Sequence, residues 1–236
     1  METGTDKERM DAGRRGRDAA DSASMRILRA ARKVFARQPF KAASTRMIAE
    51  EAGVDHPLIH YYYGSKEKLF EIVVQLNYQE FQAAHATWLE GLDKMMPREG
   101  LSLYLDRLIA YCFEHPEALQ MFLLNISPLG MNQDLPGYEH ALAHFGHIAE
   151  ATLKKLPLPA PRQEIEMYIY CFHNLTISFI GARALQAEVM NLAPDSPEYR
   201  ERFKNAMLTM FTPWLEKLAF PQPSPAAALP APPSVK

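Results

Sequence analysis

Apolar residues recur along this chain at helical spacing. Ile27, Ala30, Ala31, Val34 and Phe35 fall at i, i+3, i+4, i+7 and i+8, one stripe of an amphipathic helix, with Arg26, Arg29, Arg32, Lys33 and Arg37 on its wet side. Thr45 to Ala52 holds strong helix formers after Ser44, a candidate N-cap, and Gly53 follows as a left-handed stop. Val54 plugs the angle, and Asp55 is predicted to cap a second short helix, His56 to Tyr62, with Pro57 in its first turn. Ile48, Ala52, Val54, Ile59 and Tyr62 would bury the inner faces of two steeply crossing helices. His56, Pro57, Leu58, His60 and Tyr61 would point outward. A helix-turn-helix of this kind suits insertion into a DNA groove. Gly64 then stops the second helix and Ser65 caps a third, where free N–H groups beside Lys66 can hold a phosphate.

Further helices are expected over about Lys66 to Met95, Glu99 to Glu114, Pro116 to Ile126, Tyr138 to Leu156, Arg162 to Asn191 and Pro197 to Phe220. A loop is expected from Ser127 to Gly137. Ile165 to Leu185 is apolar nearly all round, so it is expected to pack on the core by one face and on a partner subunit by the other. Glu166, His173, Asn174 and Arg183 argue against a membrane span there. Alternating strand patterns are absent, so the fold class is all-α: a three-helix DNA-binding domain over 23–70 and a second helical domain over 71–220. Residues 1–22 are polar and aperiodic, with Arg14, Arg15 and Arg17 as a candidate DNA-contacting arm. Residues 221–236 hold six prolines in sixteen positions. Both tails are expected to be disordered.

The matching strings are Ile27 to Ala36 (IL.AA..VFA), Ser44 to Val54 (STR.IAEEAGV) and Tyr61 to Phe70 (YYYGSKE.LF). Together they resemble the DNA-binding domain of the TetR family of transcriptional regulators, over roughly a fifth of the chain. The resemblance implies a homodimer built on the last two helices, a C-terminal domain that binds a small-molecule effector, and repression relieved by that effector. The chain departs from many members at Asp55-His56-Pro57, where Ser-Lys-Gly or similar is common, and at His60, where Tyr is common. Those positions face DNA, so the operator sequence does not transfer.

Composition sharpens this picture. The 236 residues are 47% hydrophobic and 23% charged, ample for a sizeable core. The net charge of −2 conceals a local patch: residues 24–68 hold nine Lys/Arg against four acids, a net +5 that leaves −7 elsewhere. Local positive charge is what phosphate attraction requires. With no apolar signal core, a cytoplasmic protein is expected. Cys112 and Cys171 read as small buried hydrophobes. His140, His144 and His147 share a helix face, yet no further ligand cluster accompanies them, so a polar face is expected rather than a metal site. No nucleophile motif or Gly-rich phosphate loop appears, so neither an enzyme nor a cofactor is expected.

The chain thus reads as a homodimeric repressor of a double-stranded DNA operator. His56, Leu58, His60 and Tyr61 are expected to read bases, and Arg46, Tyr61 and Lys66 to grip phosphates. Candidate walls of an effector cavity are Trp88, Tyr104, Leu108, Tyr111, Met121, Leu124, Phe145, Tyr168 and Phe172, with His173 or Asn174 as polar anchors. Their character points to a hydrophobic or aromatic effector.

Overall fold

A computed structural model describes residues 23–125 and 134–221, apart from the side chains of residues 141 and 142. The suggested Arg-rich arm, the loop from Ser127 to residue 133 and the Pro-rich tail beyond residue 221 lie outside the described residues. Within them every regular element is helical. Helix α1 is described over residues 23–37. It is followed by α2 (Thr45–Ala52), α3 (Pro57–Tyr63), α4 (Lys66–Trp88), a 3-10 turn (Leu92–Lys94), α5 (Pro97–Glu114), α6 (Pro116–Asn125), α7 (Tyr138–Lys155), α8 (Arg162–Gly181), α9 (Arg183–Val189) and α10 (Pro197–Ala219).

Two cores organise these helices. The smaller buries Ile27, Phe35, Ile48, Ile59, Leu69 and Phe70 from α1 to α4. It also takes Val73 and Val74 of α4 and Met121 and Phe122 of α6, so the head's packing continues past residue 70. The larger core joins α4, α5, α7, α8 and α10 through Phe81, Leu105, Leu108, Ile148, Phe172 and Phe211. Helix α4 therefore runs from one core into the other.

Several element boundaries differ from expectation. Helix α4 ends at Trp88 rather than near Met95, because Gly91 turns left-handed at φ 79° and a 3-10 turn follows. Arg107 fastens that end, donating to the carbonyls of Trp88 (2.7 Å) and Glu90 (3.1 Å). The long helix expected from Arg162 to Asn191 breaks at Ala182 into α8 and α9. Helix α8 is not buried all round within one chain. Tyr168, Phe172, Thr176 and Ile180 are buried, whereas Met167, Cys171, Asn174 and Ser178 are exposed. Cys171 thus departs from the buried role expected of it, while Cys112 is buried and its thiol is pushed up to about 12 by that burial. Gly181 has a specific use: a methyl there would stand 2.5 Å from Leu123 Cδ1, so its absence lets α8 close on α6.

Candidate nucleic-acid interface and internal cavity

The turn between α2 and α3 forms as its sequence suggests at one end only. Ser44 Oγ accepts from the Met47 N–H (3.3 Å), and Gly53 adopts φ 61°, ψ 45°. Asp55 does not cap α3 with its side chain. Instead its backbone carbonyl accepts from the Leu58 N–H (3.0 Å), and the helix proper starts at Pro57. Pro57 has no N–H to lose at this position. Ile59 is fully buried and anchors the helix, while Pro57, His60 and Tyr61 are exposed, Tyr61 at 79%.

The six expected DNA-contacting side chains divide into two sets. Arg46, His60 and Tyr61 are exposed together on α2 and α3. His56, Leu58 and Lys66 are engaged with the chain. Thr45 Oγ1 and His56 Nε2 are hydrogen-bonded at 2.8 Å, which ties the first turns of α2 and α3 together. Leu58 is half-buried against the head core rather than outward, because the tight turn swings it inward. Lys66 differs most. Its ammonium donates to the carbonyls of Phe40 (2.9 Å) and Ala43 (3.0 Å) and lies 4.3 Å from the Phe40 ring centroid. Two of its three donors are occupied, so its position is that of a clamp on the loop between α1 and α2.

The same sorting applies to the basic patch. Arg32 pairs with Glu80, Lys33 and Arg37 with Glu51, and Lys68 with Glu71. Arg26, Arg29, Lys41 and Arg46 are exposed and make no ion pair among the described residues. These four carry the positive field outward.

One residue that matters to the head lies far off in sequence. Asn125, buried at the end of α6, accepts the Phe40 N–H on Oδ1 (2.6 Å) and donates from Nδ2 to the carbonyls of Phe35 (3.3 Å) and Met121 (3.0 Å). Its signal was a lone polar residue closing an apolar helical run, which pattern alone does not connect to a loop 85 residues earlier. Tyr63 is a second such contact: its hydroxyl donates to the Ser24 carbonyl at 2.8 Å, holding the start of α1 to the end of α3.

The body contains a cavity of about 560 Å³ between the 3-10 turn, α5, the last turn of α7, α8 and the end of α10. Of the eleven pocket residues favoured from sequence, Tyr104, Tyr168, Phe172 and His173 line it. Met121 and Phe145 line a separate space of about 40 Å³, which His173 also borders. Trp88 and Tyr111 pack edge to face at 5.2 Å in the adjoining aromatic layer. Asn174 is exposed on the opposite face of α8 and donates to the Tyr170 carbonyl (2.8 Å), so it is not an anchor. Leu108 borders the smaller space, and Leu124 is exposed.

The expected histidine face is split. His144 is buried and stacks on Tyr78 at 4.5 Å, whereas His147 is exposed and hydrogen-bonds Gln82 at 2.9 Å. His140 instead approaches Glu71 and Glu139, each at 3.9 Å. No helix among the described residues is long and apolar enough to cross a membrane.

Residues 27–73 match the model of the family described as bacterial regulatory proteins, tetR family. The HTH-type transcriptional repressor NicS of Pseudomonas putida is 36% identical over 98 residues, covering 42% of this chain and 45% of that protein. The chain spans about half the length of the curated relatives it matches. Solved structures extend the likeness to the body at the level of fold. A tetR-family regulator from Shewanella matches over 81% of this chain and 96% of its own, at 21% identity and a TM-score of 0.57. The regulator FadR from Bacillus subtilis, solved in complex with stearoyl-CoA, matches over 83% and 97%, at 17% identity and a TM-score of 0.54. The helix-turn-helix over residues 27–73 is thus similar to that of the tetR family of bacterial regulatory proteins, and the chain as a whole shares the wholly helical fold of these solved structures.

Proposed function

We propose that the chain is a sequence-specific transcriptional repressor that binds an operator as a homodimer and is released by a small apolar effector. The observation that carries this reading is the exposed set on α2 and α3. Pro57, His60 and Tyr61 project from a short helix whose inner face is anchored by Ile59 and whose approach is fixed by left-handed Gly53, with Arg46 exposed beside it on α2. An exposed short helix on such a turn fits the major groove, and cations beside it fit flanking phosphates. The relatives point the same way: the NicS relative is described as a repressor, and FadR is a regulator solved with a bound ligand.

Dimerisation is supported by apolar and small groups left exposed on the last long helices, including Met167 (56%) on α8 and Met210 (50%) on α10. Two helices from each subunit would form a four-helix interface and set the spacing of the heads. The cavity favours an effector over a purely protein-regulated body, since a solid core would have served the latter. A metal-responsive reading through His140, His144 and His147 loses support because those side chains do not converge.

Selection of bound fragments from genomic DNA, followed by footprinting, tests the reading. We expect a two-fold symmetric site with half-sites centred about one turn (~34–36 Å) apart, or a multiple of it. Arg46→Ala should weaken binding on all sequences and lower the salt slope by about one. Tyr61→Ala should weaken binding too, with its salt slope unchanged. Unaltered affinity in both variants would remove the docking assignment, and failure to enrich any site would remove the function.

A further inference from the structure

We propose that Glu71, Glu139 and His140 form a binding site for a divalent transition-metal cation of the Zn²⁺ class, which would fasten the head-bearing end of α4 to the first turn of α7. The three residues come from two helices. Glu71 follows Phe70 of the head core on α4, and Glu139 and His140 lie in the first turn of α7. Each offers one ligand atom, and these atoms all lie within 4.8 Å of one another. His140 Nε2 faces Glu71 Oε1 and Glu139 Oε1, each at 3.9 Å. Those approaches are too long for hydrogen bonds, so one imidazole nitrogen and two carboxylate oxygens converge without closing on each other. The donor set names the class of cation. Zn²⁺ takes imidazole nitrogen and carboxylate oxygen at about 2.0–2.2 Å, which in a tetrahedral centre sets neighbouring ligand atoms about 3.4 Å apart. The imidazole-to-carboxylate separations need to close by about half an ångström, within reach of side chains that are half-buried or exposed. Three protein ligands leave the fourth position for water. Mg²⁺ and Ca²⁺ prefer oxygen ligands throughout, so the His140 nitrogen selects against them.

The scaffold holds these ligands in place. Gly137 precedes α7 at φ 78°, and a methyl group there would stand 3.3 Å from Val74 Cβ and 3.5 Å from Glu71 Cα. Its absence lets the start of α7 sit directly on the turn of α4 that carries Glu71. Lys68 donates to Glu71 Oε2 (2.9 Å), which leaves Oε1 toward His140. The same hydrogen bond holds the Glu71 carboxyl below its usual range, so it is an anion at neutral pH. Two carboxylates outweigh the one ammonium, which favours a cation between them. Sequence spacing does not reveal the set, because Glu71 joins Glu139 and His140 only through the packing of α4 on α7. The cavity lies against the last turn of α7, so this site is separate from it and does not rest on the effector reading.

Calorimetric titration of the full chain with ZnCl₂ tests the proposal. The wild type should show saturable binding that Glu71→Gln, Glu139→Gln and His140→Ala each weaken by about tenfold or more, since loss of a ligand costs at least as much as loss of a group that supports one. His147→Ala removes a histidine of the same helix that lies outside the set and should change the affinity by about twofold at most. Helical circular dichroism should be the same in all five proteins, because the substituted side chains lie outside both cores. Saturating Zn²⁺ should raise the Tm of the wild type and leave that of Glu71→Gln nearly unchanged, by mass action on the folded state. Absence of saturable Zn²⁺ binding would overturn the site. An affinity unaltered in Glu71→Gln would overturn it too, and is the result expected if Zn²⁺ were taken up instead by exposed Cys171 or by His56 and His60. Equal losses in His147→Ala and His140→Ala would move the cation off this set, and saturable binding of MgCl₂ as tight as that of ZnCl₂ would remove the cation class.

Discussion

His60 is a residue whose hydrogen-bonding character at a groove can be worked out from one contact. Its Nδ1 lies 2.8 Å from the Gly64 carbonyl oxygen, and a carbonyl can only accept. The proton therefore sits on Nδ1, and in the neutral ring Nε2 presents a lone pair. An acceptor at the major-groove edge pairs with the amino group of adenine or cytosine, and it has nothing to offer guanine O6 and N7 or a phosphate oxygen. Tyrosine, common at this place in the family that the head resembles, can donate or accept, so on the proposed docking histidine would narrow what the helix reads. Replacing the contacted base with an analogue lacking its amino group (purine for adenine, 2-pyrimidinone for cytosine) should weaken wild-type binding by about fivefold to tenfold or more. The His60→Ala variant should be indifferent to the same change. Equal loss in wild type and variant would show that the base is read by another group. The neighbouring His56 is unlike it: its Nε2 is already hydrogen-bonded to Thr45, which withdraws it from the groove.

At the scale of elements, α6 acts as the body's grip on the head. Met121 and Phe122 enter the head core, and Asn125 ties down the end of α1 and the loop after it through its bonds to the Phe35 carbonyl and the Phe40 N–H. Asn125→Leu keeps the side chain's size but leaves the Phe40 N–H and Phe35 carbonyl without a partner. That should cost about 1–3 kcal/mol of stability, seen as a drop of several degrees in Tm, and should weaken operator binding. The helical circular dichroism of the chain, measured below the melt, should be little changed, and its loss together with operator binding would mean that the clamp supports the whole molecule. This element also marks where sequence reading stopped. Helical periodicity gave the fold class, most helix starts and the buried face of the turn, because those follow from local spacing. It did not give the α4 stop at Gly91, the break at Ala182 or the Lys66 clamp. Each of those depends on groups brought together by packing: Arg107 under the end of α4, Leu123 against Gly181, and the Phe40 and Ala43 carbonyls around one ammonium. The cavity was half legible for the same reason. Tyr168 and Phe172 share a face with His173, while Asn174, one residue on, turns to the opposite side.

At the scale of the whole molecule, α4, α5, α7 and α8 meet around Phe81, whose ring lies 6.2 Å from that of His85, 5.0 Å from His144 and 6.3 Å from His173. His173 borders the cavity, and Phe81 belongs to the helix that leads to the head, so the aromatic layer is continuous from the proposed ligand to α4. This layer has a pH signature. Burial lowers His85 from 6.5 to about 4 and His144 to about 3, and His173 falls well below its usual range. His85 further depresses His144 and His173, His144 depresses His173, and His147 adds to the effect on His144. A histidine lowered on folding takes up its proton only when the chain unfolds, so the unfolded state binds more protons between the two values. Stability should therefore be full above about pH 6.5 and decline steadily as the pH falls through that point toward 4. Each histidine contributes up to ~1.4 kcal/mol per pH unit within its window. Urea unfolding at a series of pH values measures this slope. His144→Phe, which can keep the stack on Tyr78 and contact with Phe81, should reduce the slope by about one histidine's share. A slope identical in wild type and His144→Phe would mean that His144 gains its proton in the folded state, and the dry aromatic layer joining the cavity to α4 would have to admit water.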